Sequence, residues 1–173
     1  MSETNEAEAQ GAPDRENILV LELKDGATVT IKLRPDLAPL HVERIKELAR
    51  KGFYDGTPFH RVIEGFMAQG GDPTGTGTGG SDLPNLKAEF SAPGKARFLR
   101  GTCGMARTQD PNTANSQFFI MFAPASSLDG QYTIWGEVTE GMEAVDKIAR
   151  GAGSSGMVRT PDKIVSMRVL ADT

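Results

Sequence analysis

The residues best suited to chemistry in this sequence lie in one strand-like run of fourteen residues, 59–72. Arg61, Met67 and Gln69 share one parity of this run, so an extended backbone turns their side chains toward the same face. Arginine is always charged and offers a fixed fork of hydrogen-bond donors. Such a group acts through fixed electrostatics rather than proton transfer. Taken one at a time, the same residues also fit a sheet core with an incidental arginine.

Groups for nucleophilic, acid–base or zinc chemistry are few. The histidines are His41 and His60, and the single cysteine is Cys103. A Ser or Cys nucleophile needs an oriented histidine base, and two histidines with one cysteine cannot complete a zinc site. We predict that His41 lies on the surface of a helix, that His60 is structural and that Cys103 is a small core residue. We expect no metal and no cofactor.

A glycine-rich run, 75–80, matches the G-x-G-x-x-G pattern of dinucleotide sites. That pattern needs a strand before it and a helix that opens within it, whereas Asp72-Pro73 precedes the run and Leu83-Pro84 follows it. The Lys-Ser/Thr pair of a phosphate-binding loop is absent as well. We therefore interpret the run as a flexible loop.

Composition restricts the class of protein. The start of the chain, 1–17, carries five acidic residues and one basic residue, and the rest carries 18 of each. A neutral body without a basic cluster predicts no nucleic-acid binding. The acidic start is unlike a secretory signal, no apolar run approaches the roughly 20 residues of a membrane span, and a lone cysteine suits a reducing compartment. We expect a cytoplasmic monomer without membrane contact, with a disordered acidic tail over 1–17 and one domain over 18–173.

The elements that position these residues are mostly strands. Glycine and proline number 30, which argues against a helical bundle, and the short connections favour an antiparallel sheet closed into a barrel. Asp25-Gly26 between two apolar runs predicts a hairpin. Apolar spacing predicts one helix over 39–51 and a shorter one over 142–150. The predicted strands are 18–23, 28–33, 59–62, 66–70, 101–106, 117–122, 134–138 and 164–169.

Five motifs, taken in order and spacing, resemble the cyclophilins, a family of peptidyl-prolyl cis-trans isomerases. The similarity extends over about residues 18–170. The motifs are F-H-R-V-I-E-G-F-M-A-Q-G-G-D (59–72), G-T-G-G (77–80), G-M-A-R (104–107), N-S-Q-F-F-I (115–120) and L-D-G-Q-Y-T-I-W-G (128–136).

The resemblance implies a closed eight-stranded antiparallel β-barrel capped by two α-helices, with a substrate groove on the outside of the barrel wall. It implies an isomerase for X-Pro bonds in peptides and in unfolded or flexible protein segments, which assists folding as a chaperone. The implied catalytic residues are Arg61, Phe66 and Gln69. The implied substrate-binding residues are Met67, Gly77, Ala106, Arg107, Thr108, Gln117, Phe119, Leu128 and Tyr132.

These residue types suit the reaction. Rotation about a peptide bond faces a barrier of about 18–20 kcal/mol, because the nitrogen lone pair is delocalised into the carbonyl. In the twisted transition state the prolyl nitrogen regains that lone pair and accepts a hydrogen bond, and only interactions stronger in the transition state accelerate a step. The resemblance makes Arg61 the donor. The resemblance also implies that Phe66, Met67, Phe119 and Leu128 line the pocket for the proline ring.

The sequence departs from the pattern of many eukaryotic members at three positions. Ser127 stands where they carry a tryptophan, so we expect weak binding of cyclosporin-type inhibitors. Tyr132 replaces a histidine, as is common in bacterial-type members. Arg107 replaces an asparagine and adds a charge at the rim of the groove, which favours acidic residues beside the proline.

Two other functions fit the same sequence. The groove could serve a binding module for proline-containing partners, in which turnover is incidental. The barrel could instead hold a ligand in its lumen, since a fold alone does not fix a function; a packed interior would remove that option.

Overall fold

The structure is a computed structural model that describes residues 14–173. Each predicted strand is present, with ends that differ by at most two residues from the prediction. None of the helices within the described residues is long and apolar enough to span a bilayer. The strands are β1 (Ile18–Glu22), β2 (Thr28–Leu33), β3 (Arg61–Ile63), β4 (Met67–Gly70), β5 (Thr102–Met105), β6 (Phe118–Met121), β7 (Ile134–Glu140) and β8 (Ser166–Val169), and the helices are α1 (Pro39–Arg50) and α2 (Met142–Val145).

The strands form a curled half-barrel, so the prediction of a closed barrel is wrong. Their order in the antiparallel sheet is β3-β4-β6-β5-β7-β2-β1-β8, so β3 and β8 are its two end strands and do not pair with each other. The outer edge of β3 is already occupied: the Val62 amide donates to the Gly156 carbonyl, and the Gly151 amide donates to the Val62 carbonyl, both at 2.8 Å. Because the segment 151–156 takes this edge, β8 cannot pair with β3.

The hairpin between β1 and β2 forms as predicted. The two strands pair in antiparallel register from Ile18 opposite Lys32 to Glu22 opposite Thr28. The turn has two consecutive residues in the left-handed region, with φ of 62° at Asp25 and 75° at Gly26. Aspartate and glycine tolerate this conformation better than other residues, which is why the pair is a hairpin signal.

Helix α1 is capped by a distant carboxylate. Its N-cap residue, Ala38, has no side chain that can accept a hydrogen bond, and Glu89 takes over this role. The Glu89 carboxylate accepts from the amides of Leu40 and His41, at 3.1 and 2.9 Å, and from Nδ1 of His41 at 2.6 Å. His41 is therefore fully buried, and the prediction that it lies at the surface is wrong.

Helix α2 is shorter than predicted, because the chain tightens after Val145. The amides of Lys147 and Ile148 bond to carbonyls three residues back rather than four, as in a 3₁₀ turn. The guanidinium of Arg150 then donates to the carbonyls of Asp146 and Ile148, which satisfies them without further helix. The prediction of a helix through Arg150 is wrong for this reason.

An aromatic cluster fills the inside of the half-barrel. The Phe118 ring makes edge-to-face contacts with Tyr54, Phe59 and Trp135, at centroid distances of 5.5, 6.2 and 5.9 Å. All four side chains are fully buried, and Cys103 is buried among the same core residues, as predicted. This packing fills the lumen and removes the option of a ligand held there.

The predicted acidic tail, 1–17, lies mostly outside the described residues. Of its described part, Arg15–Asn17 forms a 3₁₀ turn. There the Glu16 carboxylate forms ion pairs with Arg50 and Lys46 of α1. These contacts attach the end of the tail segment to the domain.

Candidate functional site

Side-chain alternation along β6 creates a second apolar surface on the outer face of the sheet. Phe118 and Ile120 point into the main core, whereas Phe119 and Met121 belong to a separate buried cluster with Met67. A groove of about 180 Å³ lies on this second surface. Nine of the twelve predicted site residues line it: Arg61, Phe66, Met67, Gln69, Ala106, Arg107, Phe119, Leu128 and Tyr132.

Strand register brings the central groove residues side by side. Arg61 pairs with Gln69 between β3 and β4, and Gln69 pairs with Phe119 between β4 and β6. Phe119 in turn pairs with Gly104 of β5. A Cβ atom at Gly104 would lie 2.6 Å from the Phe119 ring and 2.6 Å from the Phe98 ring, so the absence of a side chain there leaves room for both rings.

Arg61 is held by two of its three guanidinium nitrogens. Nη1 donates to Oε1 of Gln69 at 3.1 Å, and Nε donates to the Ser155 carbonyl at 2.9 Å. Within residues 14–173, Nη2 has no hydrogen-bond partner and is left as a donor for a bound molecule. The guanidinium is thus oriented before any ligand arrives.

Gln69 continues the hydrogen bonding away from Arg61. Its Nε2 donates to Oε1 of Gln117, and Nε2 of Gln117 donates to the Gly79 carbonyl, both at 2.9 Å. We refer to Arg61, Gln69, Gln117 and Gly79 as the hydrogen-bond chain. The residue types were expected in the site, but this connection was not, because it depends on side-chain rotamers that strand patterns do not specify.

The floor of the groove is an aromatic and aliphatic cup. The Phe119 ring stacks on Phe98, with centroids 5.7 Å apart, and meets Tyr132 edge to face, also at 5.7 Å. Phe119 and Met67 are almost completely buried, whereas Phe66 and Leu128 are half-buried at its sides. Phe98 was not predicted as a site residue, because it lies outside the five motifs.

Arg107 forms the rim of the cup and is itself fixed in place. Nε and Nη2 donate to the Gln131 carbonyl, at 3.0 and 2.6 Å, and Nη1 donates to the Thr108 carbonyl at 2.9 Å. Its guanidinium carbon lies 4.5 Å from the centre of the Tyr132 ring. Arg107 therefore fixes the position of this wall, and no carboxylate among the described residues neutralises its charge.

A second cavity, of about 550 Å³, continues from the groove and shares Gln69, Ala106 and Arg107 with it. It contains the three remaining predicted residues, Gly77, Thr108 and Gln117. Other residues of this cavity were not predicted; they include Gly79, Ser81, Asn85, Thr113 and Asn115.

The glycine-rich loop, residues 74–80, borders the second cavity and is anchored by Asp72. The Asp72 carboxylate accepts from the amides of Thr74, Gly77 and Gly79, at 2.8, 2.7 and 3.1 Å. Burial raises the pKa of Asp72, but these bonds and one from the Thr74 hydroxyl outweigh it and bring the pKa to about 2. The run is a loop, as predicted, but its backbone is bonded to a buried charge.

Neither His41 nor His60 lines the groove or the second cavity. Both ring nitrogens of His60 are buried without a hydrogen-bond partner among the described residues, and burial is the main cause that lowers the pKa of this histidine. It is therefore neutral at pH 7, as a structural histidine would be. In the part of the chain that the structure describes, no three His, Cys, Asp or Glu side chains are grouped to hold a metal ion.

A further cavity, of about 390 Å³, lies between the β1–β2 turn and α2. It contains none of the predicted site residues. Its lining is a mixture of charges, with Lys24, Asp25, Glu143, Lys147 and Asp162.

Comparison of the sequence with known proteins identifies a family of enzymes. The sequence model of the family described as cyclophilin type peptidyl-prolyl cis-trans isomerase/CLD matches residues 18–169. A protein of Brucella suis described as a probable peptidyl-prolyl cis-trans isomerase is 54% identical, over 94% of this chain and 87% of its own length. A protein of Rhizopus delemar described as peptidyl-prolyl cis-trans isomerase-like 1 is 42% identical, over 85% of this chain and 84% of its own.

Solved structures give the same result. Cyclophilin AquaCyp293 from Hirschia baltica has a TM-score of 0.82 and 28% identity, and the match covers 100% of this chain and 82% of that one. A cyclophilin type peptidyl-prolyl cis-trans isomerase of Cryptosporidium parvum, determined in the presence of the dipeptide Ala-Pro, has a TM-score of 0.80 and 29% identity. That match covers 88% of this chain and 98% of the other.

Proposed function

The chain belongs to the family of cyclophilin-type peptidyl-prolyl cis-trans isomerases. We propose that it isomerises X-Pro peptide bonds in the groove that Arg61 lines. One observation carries the assignment to this groove. A preoriented guanidinium, with Nη2 available as a donor, stands beside an apolar cup of about 180 Å³. A proline residue presents the same pair of features, an apolar ring next to a tertiary amide nitrogen.

Arg61 acts on the nitrogen of the rotating bond. The planar ground state offers no lone pair there, whereas the twisted transition state does, so a hydrogen bond from Nη2 forms only as the barrier is approached. The bonds from Arg61 to Gln69 and to the Ser155 carbonyl hold the guanidinium at the required angle. Preorganised donors of this kind need no rearrangement during the reaction.

The cup holds the proline ring. Phe119 forms its base, and Met67, Phe66 and Leu128 complete its apolar lining. Burial of an apolar ring in such a pocket contributes about 1–3 kcal/mol of binding free energy. The ring is thereby fixed while the preceding carbonyl rotates.

The second cavity receives the residues that precede the proline. The Ala106 N–H already donates to the Gln117 carbonyl at 2.9 Å, so the backbone group that Ala106 offers to substrate is its carbonyl. Gly77 and Thr108 border the same space. Because the charge of Arg107 is not paired with a carboxylate among the described residues, we expect a preference for acidic residues here.

The substrates in this proposal are proline-containing peptides and unfolded or flexible protein segments. The presence of Ala-Pro in the Cryptosporidium parvum structure supports a peptide ligand. Ser127 is exposed, and its small side chain adds little apolar surface beside Leu128. This supports weak binding of cyclosporin-type inhibitors. A role in assisting folding, a monomeric state, a cytoplasmic location and a separate tail over 1–17 stay predictions from the sequence.

The test is cis–trans exchange of an Ala-Pro peptide, measured by NMR with wild type, Arg61→Ala and Arg61→Lys. We expect Arg61→Ala to lose on the order of 100-fold in kcat/KM, as when one preorganised donor is removed, and Arg61→Lys to recover little, because a lysine lacks the fork that Gln69 and Ser155 hold. Arg15→Ala is the matched control, since Arg15 is exposed and its guanidinium binds the Leu170 carbonyl, outside the groove. Wild-type binding of the peptide without catalysis would instead favour a binding module.

A further inference from the structure

Asp72 is a buried charge outside the groove that nevertheless controls the loop beside it. Its carboxylate is fully buried, and within residues 14–173 its oxygens accept hydrogen bonds only from the glycine-rich loop, residues 74–80. Asp72 leaves no room for a side chain at position 79, because a Cβ atom on Gly79 would lie 2.3 Å from Oδ1 of Asp72. The position of Gly79 is therefore determined by Asp72.

Gly79 is also the last member of the hydrogen-bond chain that begins at Arg61. The direction of that chain is set at its two ends, because a guanidinium only donates and a backbone carbonyl only accepts. Between them, each glutamine must turn its oxygen toward Arg61 and its nitrogen toward Gly79. If the Gly79 carbonyl moved away, Gln117 would lose the acceptor that holds its amide nitrogen, and Gln69 would donate to a Gln117 side chain that is no longer fixed.

From these contacts we propose that Asp72 is a positioning residue for the isomerase reaction. By holding Gly79, it fixes the orientation of Gln117 and Gln69 and so keeps the Arg61 guanidinium aimed at the groove. Asp72 itself touches no substrate. The inference rests on the proposed function of the groove, and it gives the glycine-rich loop a role in catalysis that its sequence pattern did not indicate.

The first test is Asp72→Asn, which keeps the size of the side chain but turns an amide nitrogen toward amides that also donate. We expect kcat/KM for an Ala-Pro peptide to fall about tenfold, since small displacements of a positioned group are costly. The side-chain NH₂ signals of Gln69 and Gln117 in ¹H–¹⁵N spectra should move toward the positions of free glutamine. Asp55→Asn is the matched control: the Asp55 carboxylate binds the Met167 amide and Arg168 of β8, and Asp55 lines neither the groove nor the second cavity. It should leave both readouts as in wild type.

A double-mutant cycle separates positioning from general destabilisation. Gln117→Leu cuts the hydrogen-bond chain, so Asp72→Asn added to it should cost less than about twofold further. The same tenfold loss in both backgrounds would overturn the proposal, as would an unchanged kcat/KM and unchanged glutamine signals in folded Asp72→Asn. If Asp72→Asn does not fold, Gly79→Ala displaces the same contact and is expected to give the same loss, with wild-type activity in that variant counting against the proposal.

Arg61→Ala, measured in parallel, distinguishes this proposal from the one on which it rests. Loss of activity in Arg61→Ala together with wild-type activity in Asp72→Asn would reject the positioning role alone. Full activity in Arg61→Ala would reject the catalytic groove itself.

Discussion

Arg61 and Gln69 face each other across neighbouring strands, and a 3.1 Å hydrogen bond joins Nη1 of the first to Oε1 of the second. Because Nη1 is held by Gln69, the remaining donor, Nη2, has a fixed direction. The pairing follows from the register of β3 and β4, so a short hairpin is enough to place a cation and its positioning amide together.

Gln69→Leu should therefore lower activity without removing the arginine. The leucine keeps most of the volume but accepts no hydrogen bond from Arg61, and we expect kcat/KM to fall about tenfold. The assay is the NMR exchange measurement with an Ala-Pro peptide. Gln109→Leu serves as control, because the Gln109 side chain is exposed and has no hydrogen-bond partner among the described residues. Wild-type activity in Gln69→Leu would show that Arg61 does not depend on this partner.

The activity should depend little on pH between about 6 and 9. Arginine remains charged throughout this range. His60 is neutral at the upper end, because burial lowers its pKa below 6.5, and it lies outside the groove lining. The check is kcat/KM measured across this range in buffers of constant ionic strength. A tenfold change across neutral pH would contradict catalysis by Arg61 alone.

Stability, unlike activity, should fall on acidification. Burial lowers the pKa of His41 from 6.5, although the neighbouring Glu89 acts in the opposite direction, and burial lowers that of His60 as well. Below about pH 6.5 the unfolded chain therefore binds protons that the folded protein does not, so the free energy of unfolding decreases as pH falls further. Above that pH this contribution is complete.

Urea unfolding at a series of pH values between 5 and 8 measures this dependence. His41→Gln removes one of the two titrating groups, so the slope below about pH 6.5 should be smaller in this variant than in wild type. Equal slopes would mean that His41 does not contribute.

Gly104→Ala should displace the aromatic rings that form the floor of the groove. The new Cβ would lie 2.6 Å from both the Phe119 and the Phe98 ring, which forces the floor of the cup to move. We expect a loss of about 1–3 kcal/mol of stability, as for other overpacked sites, and a fall in kcat/KM of more than about tenfold. Thermal melts and the exchange assay measure the two effects.

Gly136→Ala is the matched variant for this prediction. Its Cβ would lie 3.0 Å from Ile31, inside the main core, so it should lower stability with little effect on kcat/KM at a temperature where the protein is folded. Similar activity losses in both variants would show that the position of Phe119 is not what matters.

Ser127→Trp should raise the affinity for cyclosporin. Ser127 is exposed within the short 3₁₀ turn Ser126–Leu128, so a large ring there extends the wall beside Leu128 and supplies an indole N–H donor. We expect affinity to increase by about tenfold, which corresponds to about 1.4 kcal/mol. Calorimetric titration measures it, with Ala171→Trp, at an exposed position in the 3₁₀ turn Leu170–Asp172, as control. Unchanged affinity would mean that this wall does not contact the inhibitor.

The parts of the fold that depend on local sequence were predictable. The Asp25-Gly26 turn, the apolar face of α1 and the alternation along the strands each involve residues close in the chain. The errors share the opposite property. His41 is buried because Glu89 lies against it, and the half-barrel stays open because Gly151 and Gly156 occupy the edge of β3.

The same distinction applies to the site. Residue types and motif order predicted which side chains gather in the groove and the adjoining cavity. They did not predict that Arg107 would use its donors on the Gln131 and Thr108 carbonyls, nor that Asp72 would organise the glycine-rich loop. These roles depend on hydrogen bonds whose partners are set only when the loops are packed.

The segment 151–156 along β3 also affects how a client chain can be released. An unfolded polypeptide is a ready extra strand for any free sheet edge, and such backbone pairing holds a partner firmly. Beside Arg61, however, both hydrogen-bonding groups of Val62 are taken by the protein's own backbone. An unfolded chain bound at the groove therefore cannot add to the β3 edge as a further strand, and side-chain contacts around one proline hold it instead. Such limited contact allows the chain to dissociate after the bond has rotated.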